Sequence, residues 1–515
     1  MHANLASIMP QVIGVWCEEE GHDVHLECYT GFEDLNSILP KDIDLLFIGA
    51  FTQAAQLSYA ISAMFRKRGV VTVLGGPHAR CYPQDSQKYF DYVCGFTDKE
   101  TLRTILHDPS PQRPLGIYLS AKKQPPSLPG VRERWKFIEP TLRKAPAFKI
   151  VPMLGSLGCP YTCSFCIDST VDYQPLALEQ LREDLRFLVV KMKRPRVGWH
   201  DPNFGIRFKE QMNAIEEAVP PGSIDFLAES SLALLSEPHL KRLQANSFKA
   251  ILPGIESWYD MGGKAGAKSV QGLEKVNRIS EQVNMIMRYI PYVQTNFVLG
   301  LDSDEGEEPF ELTKKFIDMT PGAFPGYSLL TAFGQAAPLN LEFQKAGRVA
   351  GFPFHFLNNN HAMNVRPRNY AWRPFYDHVV DITKYSFSRK AIARRFLANR
   401  ETIPKWMNVV RALSTEGSGR IKYHSAVRAR LDSDPSFARY FEGGSDDLPQ
   451  FYVDRVKSDL GSLWDELPEG ALYHDPHAYL KTQPRLPLIL ESPANGGAQI
   501  ARAAALLAPE RDVDQ

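Results

Sequence analysis

The sequence predicts an α/β protein in three parts: an amino-terminal parallel α/β domain, six further β/α units that fit a partial barrel, and a mostly helical carboxy-terminal region. Two observations carry this reading. Short β-like runs alternate with amphipathic stretches over residues 1–108, the pattern of strands joined by crossover helices, and the alternation restarts with different loops over 148–335. Beyond residue 336 the β-like runs give way to aromatic, amphipathic stretches of helical period.

Taken in order, "ANLASIMPQVIGVWCEEEG" reads as a helix, followed by strand-like "HDVHLECY" and "IDLLFIGAF", helix-like "AAQLSYAISAMFRKRG", strand-like "VVTVLGG", and "DYVCGF" before "DKETLRTIL". The opening helix leads straight into what should be the second strand, so a first strand is expected to be missing or hidden. Residues 109–147 hold "PSPQRP" and "KKQPPSLPG" and read as a linker. The barrel strands are "FKIVPMLGS", "RVGWHD", "IDFLAES", "FKAILPGIES", "IPYVQTNFVLG" and "GYSLLTAF", with helical patterns such as "LALEQLREDLRFLVVKMK" between them. Functional groups are expected at the carboxyl ends of those strands. Residues 336–482 form the helical part, and 483–515 a flexible tail.

At 515 residues, with 44% hydrophobic and 23% charged residues, the chain has ordinary globular composition and length for several domains. Fifty-nine basic residues balance 59 acidic ones, so no global field recruits nucleic acid or an anionic membrane, which leaves only local patches to do so. The amino terminus lacks the pattern of a secretory signal, and no apolar run approaches the ~18 residues of a membrane span. A cytoplasmic protein is expected. Seven cysteines, an odd count, point to reduced thiols or a metal site rather than a disulfide framework.

Three of the seven lie in "GCPYTCSFC", residues 158–166, directly after the first barrel strand. A closed zinc site wants four ligands, whereas a 4Fe-4S cluster held by three thiolates keeps one iron open for chemistry. A zinc ribbon would need a second cysteine pair within about 20 residues, but Cys166 is the last cysteine. His200, at the end of the second strand, is the nearest alternative fourth ligand.

With the spacing Cys-x-x-x-Cys-x-x-Cys in this loop, the sequence resembles the radical S-adenosylmethionine (SAM) enzymes, which are built on a partial (β/α)6 TIM barrel. The resemblance implies that Cys159, Cys163 and Cys166 hold a 4Fe-4S cluster, that SAM chelates the fourth iron, and that reduction splits SAM into methionine and a 5′-deoxyadenosyl radical. It places Phe165 against adenine. It makes Asp201 in "GWHDPNF" a candidate to bind SAM or orient substrate, and Glu229 and Ser231 in "AESS" and Glu256 in "GIES" candidates for the ribose and methionine parts of SAM. An Asp-Pro turn at Asp201 and helix capping by Ser230 or Ser257 are the competing local readings. In "NFVLGLDSDEG", Val298 to Leu301, including Gly300, are backbone contacts beside adenine, and the acids that follow otherwise start the next helix. After the sixth strand, "AFGQAAPL" stands where cobalamin-type relatives often carry Pro-Gly-Thr-Pro, so that turn's contacts are not carried over.

Before the barrel, "FIGAFTQAAQLSYAISAMFRK", "VVTVLGGPHA" and "DYVCGFTDKETLRTIL" resemble the Rossmann-like cobalamin-binding domain of the cobalamin-dependent radical SAM enzymes; with the barrel, the resemblance covers roughly residues 10 to 370. Gly75 and Gly76 after a strand permit the close backbone approach of a bulky cofactor, or simply make a tight turn. The ligand-switching pattern Asp-x-His-x-x-Gly is incomplete in "DVHLEC", which lacks the glycine, and His25 reads as a sheet residue, not a cobalt ligand. Farther on, Asn358, Asn359, Asn360 and His361 suit a polar pocket or lid, or loop caps.

What the resemblance implies is a radical SAM enzyme that uses SAM, a 4Fe-4S cluster and cobalamin to methylate an unactivated carbon or phosphorus of a small-molecule or lipid substrate, with a reductant such as flavodoxin or ferredoxin. Two other readings stand beside it. One is a non-methylating radical SAM cyclisation, rearrangement or oxidation with a vestigial cobalamin domain; the other is a non-catalytic iron-sulfur electron-transfer protein.

Overall fold

The computed structural model describes residues 7–108, 116–145, 149–259, 270–478 and 488–489. Two parallel sheets organise it. The first has the order β1-β2-β3-β4-β13, from Leu45–Gly49, Val71–Gly75, Tyr92–Cys94, Ile117–Ser120 and Leu488–Ile489. Helices Ala55–Arg66, Pro77–Cys81 and Lys99–Leu106 make the crossovers. Strand β2 is buried along its run, with Val73 and Leu74 at 1% and 0% exposure, as a central parallel strand covered on both faces must be.

Two sequence readings of this part are corrected. His22 to Tyr29 is not a strand: it runs irregularly between helix Ile8–Glu19 and the short helix Leu35–Ile38. Alternation alone makes no strand without a neighbour to complete the ladder, and among the described residues β1 pairs only with β2. His25 is therefore no sheet residue; it is exposed, with Nε2 2.9 Å from the Ile38 carbonyl. Nor is 109–147 a linker. It contains β4 and helix Val131–Lys144, whose amino end is held by Asp184 accepting from the Val131 N–H at 2.7 Å. Proline and lysine there punctuate a strand and a helix start instead of separating domains. Residues 109–115 and 146–148 lie outside the described set, as does the tail apart from β13, which pairs with β4.

The second sheet is the partial barrel. Its six parallel strands, β5 Ile150–Met153, β8 Arg196–Trp199, β9 Asp225–Ser231, β10 Phe248–Glu256, β11 Tyr292–Leu299 and β12 Phe324–Leu329, stand side by side in chain order, as six consecutive β/α units require. A small antiparallel pair, β6 Ser156–Leu157 and β7 Gln174–Pro175, sits just beyond β5. Along β9, β10, β11 and β12 buried residues alternate with more open ones. The buried set packs on the surrounding helices, and the open set, including Glu229, Gly254, Asn296, Val298 and Ser328, lines the barrel interior.

The carboxy-terminal region is helical, as expected, with Trp372–Ser386, Arg389–Ala398, Thr402–Leu413, Arg420–Ser433 and Gln450–Leu460 its longer elements. Part of it covers the free edge of β12: the Leu329 N–H donates to the Asn359 carbonyl at 2.6 Å, and buried Asn364 exchanges hydrogen bonds with the Ala332 backbone at 2.7 and 3.0 Å. An open parallel edge left bare would template aggregation.

Candidate functional site

Strand β5 ends at Met153, and the chain then opens into the cysteine loop. Pairing of β6 with β7, and the Leu176 N–H donated to the Gly155 carbonyl at 3.0 Å, clamp the base of that loop. Gly158 has φ +67°, and a Cβ there would stand 2.7 Å from the Val171 carbonyl oxygen and closer still to that of Asp172. Only glycine fits immediately before Cys159.

Cys159 and Cys163 are buried and Cys166 half-buried, and none of the three is in a disulfide. The Cys166 N–H donates to the Cys163 carbonyl at 3.0 Å, turning the chain, and the Asp168 N–H donates to Cys166 Sγ at 3.4 Å, the kind of N–H···S contact that tunes iron-sulfur clusters. Among the described residues no three His, Cys, Asp or Glu side chains converge as the ligands of a single ion would. Cluster thiolates each hold a different iron, so a cubane does not ask the three to converge on one ion. The other cysteines differ in kind: burial pushes the thiols of Cys17, Cys81 and Cys94 up to about 12, which leaves them inert core residues.

The strand-end candidates divide into two sets. Glu229, Glu256 and Val298 open toward the barrel interior. Glu229 is exposed although it lies within a central strand, next to Leu252 of β10. Glu256 follows a bulge after Gly254 and adopts φ +65°, uncommon for a residue with a Cβ and of a kind that clusters at functional sites. Val298 is half-buried beside Ser328. Phe165 is likewise half-buried in the cysteine loop.

Asp201, Ser231 and Gly300 instead hold backbone in place. Asp201 is 2% exposed and accepts from the Gly155 N–H at 2.8 Å and the Ser156 hydroxyl at 2.6 Å, tying the end of β8 to the base of the cysteine loop. Burial pushes its carboxyl up to about 6 despite those donors. Ser231 donates its N–H to Asn203 Oδ1 at 2.8 Å. Ser230 is no helix cap, because its hydroxyl donates to the Phe204 carbonyl at 2.9 Å. Gly300 has φ +86°, and a Cβ there would strike Met363 Sδ at 2.7 Å. The acids after β11 do not start the next helix: Asp304, 4% exposed, accepts from the Leu301 N–H at 3.2 Å, and Asp302 forms a two-pronged pair with Arg348 at 2.6 and 2.7 Å.

The first sheet presents its carboxyl end to the same region. Gly76, φ +91°, lies against Ala50, where a Cβ would meet the carbonyl oxygen at 2.9 Å, whereas a Cβ on Gly75 would meet nothing within 4 Å. Gly76 is thus needed for packing, and Gly75 borders open space. From the helix that follows, Arg80 donates to the Ile167 carbonyl at 2.8 Å and to Asp168 Oδ1 at 3.3 Å, joining this domain to the cysteine loop. "AFGQAAPL" completes the junction: the Ala332 carbonyl accepts from Tyr82 at 3.0 Å, and the Ser164 carbonyl from the Leu339 N–H at 2.9 Å.

Sequence reasoning missed Asn203, Arg80 and Phe51. Phe51 follows β1 and is 60% exposed at the carboxyl end of a parallel sheet, where open α/β folds bind ligands; only the phrase "GAFT" hinted at it. The run Asn358 to His361 is occupied structurally. Asn358 Oδ1 accepts from the Asn360 and His361 N–H groups at 3.0 and 3.1 Å, and Asn360 Oδ1 accepts from Arg420 at 3.2 Å.

A three-cysteine loop at the carboxyl end of a six-stranded parallel partial barrel, facing the carboxyl end of a second parallel sheet, is an arrangement similar to that of radical SAM enzymes with an added α/β domain. No family model matches the chain. It is 21% identical over 378 residues to bacteriochlorophyllide d C-12(1)-methyltransferase of Chlorobaculum tepidum, covering 70% of this chain and 79% of that one. It is 25% identical over 324 residues to bacteriochlorophyllide d C-8(2)-methyltransferase of the same organism, covering 60% and 70%. In fold it is similar to the radical SAM methyltransferase TsrM from Kitasatospora setae, solved with tryptophan substrate and a SAM analogue, at TM-score 0.58 and 13% identity over 83% of this chain and 97% of that one. It is also similar to OxsB, a cobalamin-dependent SAM radical enzyme solved with aqua-cobalamin and SAM, at TM-score 0.51 and 11% identity over 97% and 81%. In fold, then, the chain is like the cobalamin-dependent radical SAM enzymes.

Proposed function

We propose that the protein methylates an unactivated carbon, or phosphorus, of a small-molecule or lipid substrate by a cobalamin-dependent radical SAM reaction. The observation that carries this reading is the cysteine loop joined through Arg80 to the carboxyl end of the first sheet. Cys159, Cys163 and Cys166 would hold a 4Fe-4S cluster, with SAM against Phe165, Glu229, Glu256 and the backbone of Val298, and cobalamin over Gly75 and Gly76. When bound, these groups supply reductive cleavage of SAM to a 5′-deoxyadenosyl radical and a transferable methyl group.

The chain's own residues do the positioning. Asp201 and Gly158 set the height and direction of the loop that carries the thiols. The Asp168 N–H donates to the Cys166 sulfur. Glu229 and Glu256 offer acceptors to ribose hydroxyls and the SAM ammonium from inside the barrel, where low dielectric strengthens such bonds. Ser231 and Gly300 fix the strand ends from which those groups project. The curated relatives' names specify bacteriochlorophyllide d and TsrM was solved with tryptophan, which supports a small-molecule acceptor. A one-electron donor such as flavodoxin or ferredoxin in the cytoplasm completes the reading.

Protein purified anaerobically from cells supplied with cobalamin is expected to carry about four irons per chain together with bound cobalamin. With reductant and SAM it should release both 5′-deoxyadenosine and S-adenosylhomocysteine. Replacing Cys159, Cys163 and Cys166 by Ala should abolish iron and both products. A zinc-only protein refutes the reading, and deoxyadenosine without S-adenosylhomocysteine turns it into the non-methylating one.

A further inference from the structure

Helix Thr402–Leu413 is inside out. Its buried side holds Pro404, Asn408 and Ala412, whereas Ile403, Trp406, Val410 and Leu413 are between 49% and 63% exposed. Their spacing of i, i+3, i+7 and i+10 makes them one continuous stripe. The preceding helix Arg389–Ala398 widens it with Leu397, 79% exposed, and Phe396 packs edge-on against Trp406 with ring centroids 5.4 Å apart. Ile392, Ala393 and Val409 line the groove between the two helices. A contiguous apolar face of this kind on a surface marks something that covers it.

The charge around the stripe says what. Residues 386–413 contain seven Lys or Arg against one acid, Glu401, in a chain whose net charge is zero. Local acids are already paired: Glu401 with Lys249, Asp318 with Arg394, Glu416 with Arg411. Among the described residues Arg389, Lys390, Arg400 and Lys405 make no ion pair.

We propose that this helical hairpin seats the protein on the surface of an anionic lipid bilayer. Leu397, Ile403, Trp406, Val410 and Leu413 enter the headgroup boundary, and Arg389, Lys390, Arg400 and Lys405 meet the lipid anions. Tryptophan is favoured at that depth. A twofold contact with a second copy would instead bring the basic set against itself. No helix among the described residues is long and apolar enough to cross the membrane, so the association is peripheral. Its orientation follows from the packing. Arg395 and Asn399 donate to the Ala323 and Gly322 carbonyls just before β12, at 2.9 and 3.0 Å, and Arg411 reaches Gln294 near the start of β11 at 2.6 Å. The apolar face thus lies at the amino ends of the barrel strands, with the cysteine loop at the other end, so lipid binding and SAM cleavage are separable.

The test is sedimentation of the full, iron-replete chain, under anaerobic conditions, with phosphatidylcholine vesicles with and without phosphatidylglycerol. Binding is expected only with phosphatidylglycerol and should weaken as salt rises. Replacing Leu397 and Trp406 together by Ser should weaken binding roughly tenfold or more. Arg400→Gln with Lys405→Gln should weaken it roughly fivefold per charge. Both double variants should keep wild-type iron content and 5′-deoxyadenosine release. Failure to sediment with anionic vesicles, or unchanged sedimentation of both variants, overturns the proposal. Light scattering that finds a dimer broken by Trp406→Ser reassigns the face to a second copy and overturns it as well.

Discussion

Gly158→Ala isolates the contribution of one hydrogen-sized space to cluster assembly. Two costs can be separated. The backbone at φ +67° is left-handed, which costs a residue with a Cβ about 1–2 kcal/mol. The added methyl would also stand 2.7 Å from the Val171 carbonyl oxygen and nearer to that of Asp172, against about 3.4 Å for ordinary contact. Both obstacles are backbone, so relief requires the loop to move by roughly 0.7 Å or more, while metal-ligand distances tolerate only about 0.2 Å. Cys159 is the next residue and moves with it. Gly222→Ala is the control: φ is +79° there, but nothing lies within 4 Å of the new Cβ, so it incurs the backbone cost alone. Iron content and the electron paramagnetic resonance spectrum of the reduced protein are the assay, alongside thermal unfolding. Gly158→Ala should lose most of its cluster, and Gly222→Ala should lower stability slightly with full iron. Full iron and an unaltered spectrum in Gly158→Ala would refute the reasoning.

Asp201→Asn leaves one side-chain oxygen where two now accept from Gly155 and Ser156, and turns an amide N–H2 toward the orphaned donor. A loss of about 1–3 kcal/mol is expected, with reduced iron retention; unchanged melting and iron content would show that Asp201 does not hold the loop. Asp304→Asn tests linkage. Burial pushes the Asp304 carboxyl up to about 7, so between its unfolded value near 4 and that value the folded state keeps a proton that the unfolded state has lost. Its stabilising contribution is complete below about pH 4 and is lost as pH rises toward about 7. Asparagine does not titrate, so the variant's stability should gain on wild type across that window, by up to about 4 kcal/mol. Thermal unfolding curves that run parallel from pH 4 to 8 would contradict this.

The local features were legible because their chemistry is local. Three cysteines within eight positions and a glycine before them make a thiol-bearing loop wherever the chain takes them. Six strands were readable from alternation, since one face of each packs on helices and the other lines the interior. Where alternation had no neighbour to complete it, as at His22 to Tyr29, the reading failed. The four-residue strand β4 and helix Val131–Lys144 were hidden because proline and lysine flank them, and composition cannot tell punctuation from a linker.

The sequence by itself determined the thiols, the order of the strands and the helical character of the carboxy-terminal region. Tertiary structure alone decided which strand-end groups face the interior and which brace it. Glu229 and Glu256 project into the barrel, whereas Asp201 and Ser231, equally suggestive as letters, are bound by backbone and side chains far along the chain. It also decided that helix Thr402–Leu413 turns its apolar stripe outward. A helical period shows that a stripe exists, and only the packing of Arg395, Asn399 and Arg411 onto the barrel shows which side of it meets water.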